Sequence, residues 1–325
     1  MIQARWTVVG LIAALGLLAA GGCQQATETD VDRADDGTVR LGVVEAVDTL
    51  SRAVAPSDRP LRIDGFRGAA TIRGDTATTA ELSFIRRGRG ADPDDARATL
   101  DDISVEESGS EETYTYTLES SSQTTAYAAV DVAGTVPRAT PLQIEKTSGP
   151  VRIDGVEGAL TIRQSHGPVT LRGTAAPVDV SVQNGDLALG IRALPSDATV
   201  TLETENGDVM VAVPPETSAR LDARTSAGTI RAQGLSLSNE QFEPVDGGGR
   251  YRADLGDGDA SIEVRVQNGD VRFLASDTSV AMPPPDTLGV PPSDTTVAPR
   301  PSADTARPDT AGTAPSSDTT ETEAP

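Results

Sequence analysis

Side chains able to do covalent or acid–base chemistry are few in this chain. There is one thiol, Cys23, and one imidazole, His166. A general base or a zinc centre needs partners, and no second histidine or cysteine is available to supply them. Ser165-His166 lacks an identifiable third member, so hydrolase chemistry through a serine has no support. His166 is therefore expected to be a surface turn residue beside Gly167. Carboxylates are abundant, 49 Asp and Glu against 27 Lys and Arg. The run Gly256-Asp257-Gly258-Asp259 is a single copy, whereas calcium-binding β-rolls need tandem copies at about nine-residue spacing. Asp186, Asp208 and Asp270 can stack along one edge of a repeat, where Arg152, Arg172 and Arg272 would balance them. No catalytic, cofactor-binding or metal-binding residue is assigned, and no cofactor is expected.

The chemistry assigned to Cys23 is acylation. Arg5 precedes an almost unbroken apolar run of about fifteen residues, Trp6 to Ala20, followed by Gly21-Gly22-Cys23. That run is short for a bilayer span and suits the apolar centre of a signal peptide. Leu18-Ala19-Ala20-Gly21-Gly22-Cys23 resembles the bacterial lipobox, with Ala20 where leucine is commoner. The expectation is a signal peptide over 1–22 and a lipoprotein anchored to a membrane through acylated (palmitate-type) Cys23. Gln24 after the cysteine implies the outer membrane if the cell is diderm, with the body extracytoplasmic or exposed on the surface. The mature chain would have no thiol left for a disulfide, so packing and backbone hydrogen bonds must hold it.

Charge narrows the partners. The net charge is −22, and loss of the leader with its single charge, Arg5, takes it to −23. Lys146 is the only lysine. Such an acidic chain argues against nucleic acid as a partner, because phosphate contacts need clustered cations. A solvated acidic coat suited to high salt is the plainest reading. Gln24 to Asp36 is polar and acidic and reads as part of a flexible tether over 23–39. The span 277–325, rich in Pro, Thr, Ser and Asp from Met282 onward, reads as a disordered tail, plain or O-glycosylated.

Between these ends, residues 40–276 repeat. Ser148-Gly149-Pro150-Val151-Arg152-Ile153 returns as His166-Gly167-Pro168-Val169-Thr170-Leu171. It returns again as Asn184-Gly185-Asp186-Leu187-Ala188-Leu189 and Asn206-Gly207-Asp208-Val209-Met210-Val211. Ala227-Gly228-Thr229-Ile230 is a weaker copy, and Asn268-Gly269-Asp270-Val271-Arg272-Phe273 is the last. The glycines fall 18, 18, 22, 21 and 41 residues apart, the last gap being close to two units. A period near twenty that holds short alternating strands and a turn is the mark of a β-solenoid. Asn-Gly steps also suit hairpins, so a β-sandwich is the competing architecture. The alternation sends Val151/Ile153, Val169/Leu171, Leu187/Leu189 and Val209/Val211 inward and leaves Thr170 outside. Glycine at each corner is explained by its tolerance of positive φ.

The first half looks like a degenerate version of the same design. Leu61-Arg62-Ile63-Asp64-Gly65 copies Val151-Arg152-Ile153-Asp154-Gly155, and Ala70-Thr71-Ile72-Arg73 copies Leu160-Thr161-Ile162-Arg163. Between these copies, Asp92-Pro93-Asp94-Asp95 opens a helix signal running to Leu100, an insertion suited to covering one solenoid end. The fold class expected is all-β, a single-stranded β-solenoid (β-helix) of about twenty-residue rungs with one short inserted helix.

These corners, with Pro214-Pro215 after Val211-Ala212-Val213, resemble the bacterial adhesin-like domain family of β-helical envelope proteins of unknown function. The likeness is close over 140–275 and loose over 40–140. It implies a one-chain β-helix outside the cytoplasm with no assigned catalysis, and it carries over no functional residue. A polysaccharide-active β-helix is the enzymatic rival. It would want aromatic platforms, and beyond Trp6 only Tyr114, Tyr116, Tyr127, Tyr251 and four Phe remain. The chain is thus read as a non-enzyme with an unknown surface or envelope partner. Exposed apolar or aromatic rows on one face would favour an adhesion or binding module. An uncovered, flat terminal rung would favour a structural or assembly component that self-associates.

Overall fold

The computed structural model describes residues 31–33, 39–41 and 44–276, apart from 57–58, 111, 122–126 and 246. Cys23, the apolar leader, most of the tether and the tail beyond Ser276 lie outside the described residues. Two short strands, β1 (Val31–Arg33) and β2 (Val39–Leu41), pair antiparallel with each other, so the span read as tether contains a paired segment. Then come β3 (Val44–Val54), β4 (Leu61–Arg67), β5 (Ala70–Asp75), β6 (Ala80–Gly90) and the helix α1 (Pro93–Asp101). The strands β7 (Ile103–Gly109), β8 (Tyr114–Ser120) and β9 (Ala128–Pro137) follow. Four repeats run in series: β10 (Leu142–Ser148) with β11 (Val151–Asp154), and β12 (Leu160–His166) with β13 (Val169–Thr174). The next two are β14 (Val178–Asn184) with β15 (Leu187–Ile191), and β16 (Thr199–Asn206) with β17 (Val209–Val213). The chain ends through β18 (Ala219–Ala227), β19 (Ile230–Gln233), β20 (Leu237–Val245), β21 (Gly248–Leu255), β22 (Ala260–Asn268) and β23 (Val271–Ala275).

Each repeat places one strand in each of two long sheets and turns between them at its glycine corner. The first sheet has eleven strands in the order β20-β21-β18-β22-β16-β14-β12-β10-β4-β8-β7, the second ten, β19-β23-β17-β15-β13-β11-β5-β9-β6-β3. Successive repeats pair in parallel and in register: Leu142 faces Leu160, which faces Val178, then Val200, then Ile262. This is a β-solenoid with two strands per rung. The sandwich alternative is excluded for the repeats, since its hairpins would pair antiparallel.

At the corners, every rung hands a backbone hydrogen bond to the next. Gly149 N donates to His166 O, Gly167 N to Asn184 O, Gly185 N to Asn206 O and Gly207 N to Asn268 O, at 2.8–3.0 Å. Stacking this close gives a second reason for glycine beside φ. A Cβ on Gly185 would sit 2.1 Å from Gly167 O, and one on Gly207 2.2 Å from Gly185 O, although only Gly207 of the two has a positive φ. The positive φ expected at the corners is found at Gly149, Gly167, Gly207, Gly228 and Gly269, with Gly185 the exception, and close backbone approach is shared by all six.

The inward residues expected from the alternation are buried: Val151, Ile153, Val169, Leu171, Leu187, Leu189, Val209 and Val211 join one core with Ile72, Leu82 and Phe84. Thr170 is a correction. It points outward, yet it is 3% exposed, and Ala188 and Met210 in the same column are 5% and 6% exposed. Strands β13, β15 and β17 thus bury three consecutive residues each. The uninterrupted runs Leu-Ala-Leu and Val-Met-Val are what two-sided burial looks like in sequence. Thr170 is not a tolerant surface position.

Two further expectations change at the ends. The 41-residue gap is not two units in line: β22–β23 inserts between β16–β17 and β18–β19, so Gly269 stacks on Gly207 and Gly228 on Gly269. The intervening β20–β21 hairpin extends the first sheet antiparallel instead. The early copies are real but shifted by half a rung. Leu61-Arg62-Ile63-Asp64 aligns with Leu142–Glu145 on β10, and Ala70-Thr71-Ile72-Arg73 with Val151–Asp154 on β11. Both strands of a rung carry the same alternation, so likeness alone cannot say which one is copied. The inserted helix starts where expected, with the Asp92 side chain accepting from Asp94 N and Asp95 N at 2.9 Å. It lies on β6, where a Cβ on Gly88 or Gly90 would meet helix backbone at 2.4 Å.

Candidate functional site: the laddered corner and the outer face of the first sheet

Stacked rungs convert a repeated residue into a ladder, and the corner carries two. Asn206 Nδ2 donates to Asn184 Oδ1 at 2.9 Å, and Asn268 Nδ2 to Asn206 Oδ1 at 3.0 Å. Two positions on, Asp208 N donates to Asp186 Oδ1, Asp270 N to Asp208 Oδ1 and Thr229 N to Asp270 Oδ1, at 2.8–2.9 Å. Each carboxylate thus bridges to the next rung's backbone. The Thr229 amide holds the Asp270 carboxyl below the usual carboxylate range, with Arg272 adding to this. Arg272 stands 3.7 Å from Asp208 and 3.6 Å from Asp270, the balancing role expected for it. Arg152 cannot share that role, because Pro168 occupies the corner between its rung and Asp186. Arg172 lies opposite Asp154 and Gly190 on the neighbouring strands.

His166 takes the asparagine's place one rung below Asn184, exposed, with its carbonyl accepting from Gly149 N and Gln164 Nε2. Asp257 N, Asp259 N and the Asp259 carboxylate all bond the Ser218 hydroxyl, closing the turn before β22. Among the described residues, no three His, Cys, Asp or Glu side chains are grouped to hold a metal. Tyr114 and Tyr116 do not form a platform: Tyr116 is fully buried and stacks with Phe84 at 4.8 Å and with Tyr114 at 5.4 Å. Phe242 is 60% exposed and covers Gly249, next to Tyr251, which bonds Glu240.

An inward polar column under the corners escaped the sequence reading. Gln164 Nε2 donates to Gly149 O (2.8 Å), Thr204 Oγ1 to Gly185 O (3.2 Å) and Thr225 Oγ1 to Gly269 O (2.9 Å). Lys146, the sole lysine, does the same for Gly68 O. The signal was present: each lies three residues before a corner glycine, on the inward side of the alternation. Burial pushes the Lys146 amine down to about 8 from 10.5, with Asp131 opposing. A folded-state value below the unfolded one penalises the fold while the amine is charged. Stability should therefore rise as pH climbs from about 8 toward 10.5 and level off above it. Lys146→Met should stabilise the fold at pH 7 by at most about 3 kcal/mol, less about 1 for the lost hydrogen bond, and flatten that rise. Thermal melts of both chains at pH 7 and 10 check this.

Outside, the first sheet is a charged and amide-bearing face. Arg62 pairs with Asp64 at 2.7 Å and Glu145 at 2.9 Å, and Arg163 with Asp179 at 2.5 Å. Arg265 pairs with Glu203 at 2.6 Å and with Glu263, while Asp222 pairs with Arg250 and lies 3.7 Å from Arg252. Most of these pairs cross rungs, and each is worth little alone at such exposure. Within the face, β14, β16, β22 and β18 enclose a groove of about 320 Å³. One column of its lining is Ser181, Glu203, Arg265 and Arg224, and the next is Gln183, Glu205, Gln267 and Ser226. This surface can hydrogen-bond an extended polar partner across four strands.

The family profile Toastrack DUF4097 matches residues 93–274. No curated protein matches the sequence. A candidate cell-adhesion protein from Clostridium sporogenes aligns in structure at 13% identity and TM-score 0.41, over 71% of this chain and 100% of its own. A candidate adhesin from Bacteroides fragilis aligns at 11% identity and TM-score 0.31, over 70% of this chain and 97% of its own.

Proposed function

We propose that this chain, which belongs to the Toastrack DUF4097 family and carries repeated surface ladders on its own solenoid, is a non-catalytic, adhesion-like binding module. In this reading Cys23 carries a lipid that anchors it in the cell envelope, in the outer membrane of a diderm cell, with the solenoid facing outward. The observation that carries the binding role is the groove across β14, β16, β22 and β18, where serine, glutamine, glutamate and arginine recur on successive rungs. Many weak polar contacts spread along rungs hold a partner without a deep pocket. With Tyr116 buried, Phe242 and Tyr251 on the β20–β21 hairpin and the exposed Tyr127 beside β6 of the second sheet, the face selects a polar, hydroxyl- or charge-bearing polymer rather than a stacked sugar ring.

Attachment of cells displaying the full chain is the readout. Arg224→Ala with Gln267→Ala should lower attachment about tenfold, with the melting temperature of the chain unchanged. Added salt should weaken attachment of the wild type. Unchanged attachment would remove the groove from the reading. Turnover of a glycan or peptide by the chain, abolished by one point substitution, would overturn the non-catalytic claim.

A further inference from the structure

The sheet edges differ in how they are protected. In the first sheet, β20 has a register shift between Ser238 and Gln241, Asn239 at φ 53°, and Pro244. The opposite edge, β7, is short and carries Glu106 and Glu107. In the second sheet, β19 has only four residues. These are the devices that keep edges from pairing with other chains. The remaining edge is β3, eleven residues without proline, glycine or bulge, paired on one side only, with β6, among the described residues; its charges, Glu45, Asp48 and Arg52, are each paired within the copy, with Arg87 and Arg89, with Arg86 and with Glu107. The helix α1 packs over Gly88 and Gly90 of β6 and also against β3, while the backbone of β3 on the side away from β6 pairs with no strand among the described residues.

We propose that β3 is an interface between two copies of this chain, joined by antiparallel β3–β3 pairing about a twofold axis at Leu50. The residue pattern picks out that register. Centred on Leu50, pairing sets Asp48 opposite Arg52, Ala46 opposite Val54, Val47 opposite Ala53 and Thr49 opposite Ser51. Moving the axis to Asp48 or Glu45 sets like carboxylates against each other. A shift by one residue turns the partner's inner face to solvent. Val47, 50% exposed in one copy, would stand over the partner's Ala53. Ala53 and Ser51 line a shallow groove with Ser83, Gly134, Thr135 and the charged Arg52 and Glu81, and the valine would enter it over the small residues. Pairing also satisfies the outward backbone groups of β3 and makes one twenty-stranded sheet from two sheets of ten. A net charge of −22 opposes association, so the pair should form at high local density, as on a membrane, more readily than in dilute solution.

The test is sedimentation of the full chain in detergent, with charge swaps on the exposed face of β3. The wild type should show a monomer–dimer equilibrium. Thr49→Lys with Ser51→Lys puts lysine opposite lysine and should raise the dissociation constant about tenfold or more. Thr49→Glu with Ser51→Glu should do the same by itself. Mixing the two variants should restore dimers, and both should melt at the wild-type temperature. A monomeric wild type at all accessible concentrations would overturn the proposal, as would dimers indifferent to both swaps. Neither result bears on the groove, whose variants are read by attachment.

Discussion

Replacing Val209 with aspartate should collapse the solenoid, lowering its stability by more than about 4 kcal/mol. Val209 is fully buried on β17, with Leu187 on the rung to one side and Val271 on the other. A carboxylate there loses its hydration, and the described neighbours on its face are apolar. The damage is not confined to one rung, because each repeat is held chiefly by its neighbours and transmits the loss along the stack. The control is Arg152→Ser, also on the second sheet but exposed and facing out, where the change should stay within about 0.5 kcal/mol. For a body of this size, the aspartate variant should melt about 10 °C or more below the control. Similar melting temperatures for the two would mean that the inward face has been misassigned.

The alternation made that prediction available before any coordinates, since in a strand the side-chain period is strictly two. It failed at Thr170 for a reason visible in its neighbours. Ala188 and Met210 carry no polar group outward, so the column they share with Thr170 reads as covered on both faces once the register is known. Register was the missing quantity throughout. The copies at Leu61 and Ala70 were recognised but set half a rung out, because Leu-Arg-Ile-Asp and Val-Arg-Ile-Asp obey the same pattern on opposite sheets. What fixes the alignment is Gly149 pressed against Gly68 O, a contact between residues far apart in sequence. The swapped order of Gly228 and Gly269 was illegible for the same reason.

The candidate site was legible to different degrees. The aspartate column at 186, 208 and 270 followed directly from the repeat, and so did its pairing with Arg272. The asparagine ladder follows from the same corners once the rungs are stacked. The groove did not, because its lining comes from β14, β16, β18 and β22, and β22 enters the stack out of sequence order. The inward column of Lys146, Gln164, Thr204 and Thr225 sits on core positions that a hydrophobic pattern reads as mistakes. Their shared spacing to the corner shows that they are caps on glycine carbonyls.

Replacing Cys23 with serine should abolish lipid labelling and release the chain from the membrane fraction. The anchor proposed at Cys23 makes this an all-or-none effect for a physical reason. Each buried methylene of an acyl chain contributes about 0.8 kcal/mol, so two or three chains hold a protein firmly where one holds it marginally. With the proposed leader removed, the net charge of −23, from the −22 of the full sequence less Arg5, opposes attraction to anionic headgroups. Among the described residues, no helix is long and apolar enough to cross a membrane. Metabolic labelling with an alkynyl fatty acid should therefore mark the wild type and leave Cys23→Ser unmarked, while high salt should fail to strip the wild type from membranes. Equal labelling of the two chains would refute acylation at this thiol. Loss of labelling with full membrane retention would show that a second, unassigned contact holds the solenoid in place.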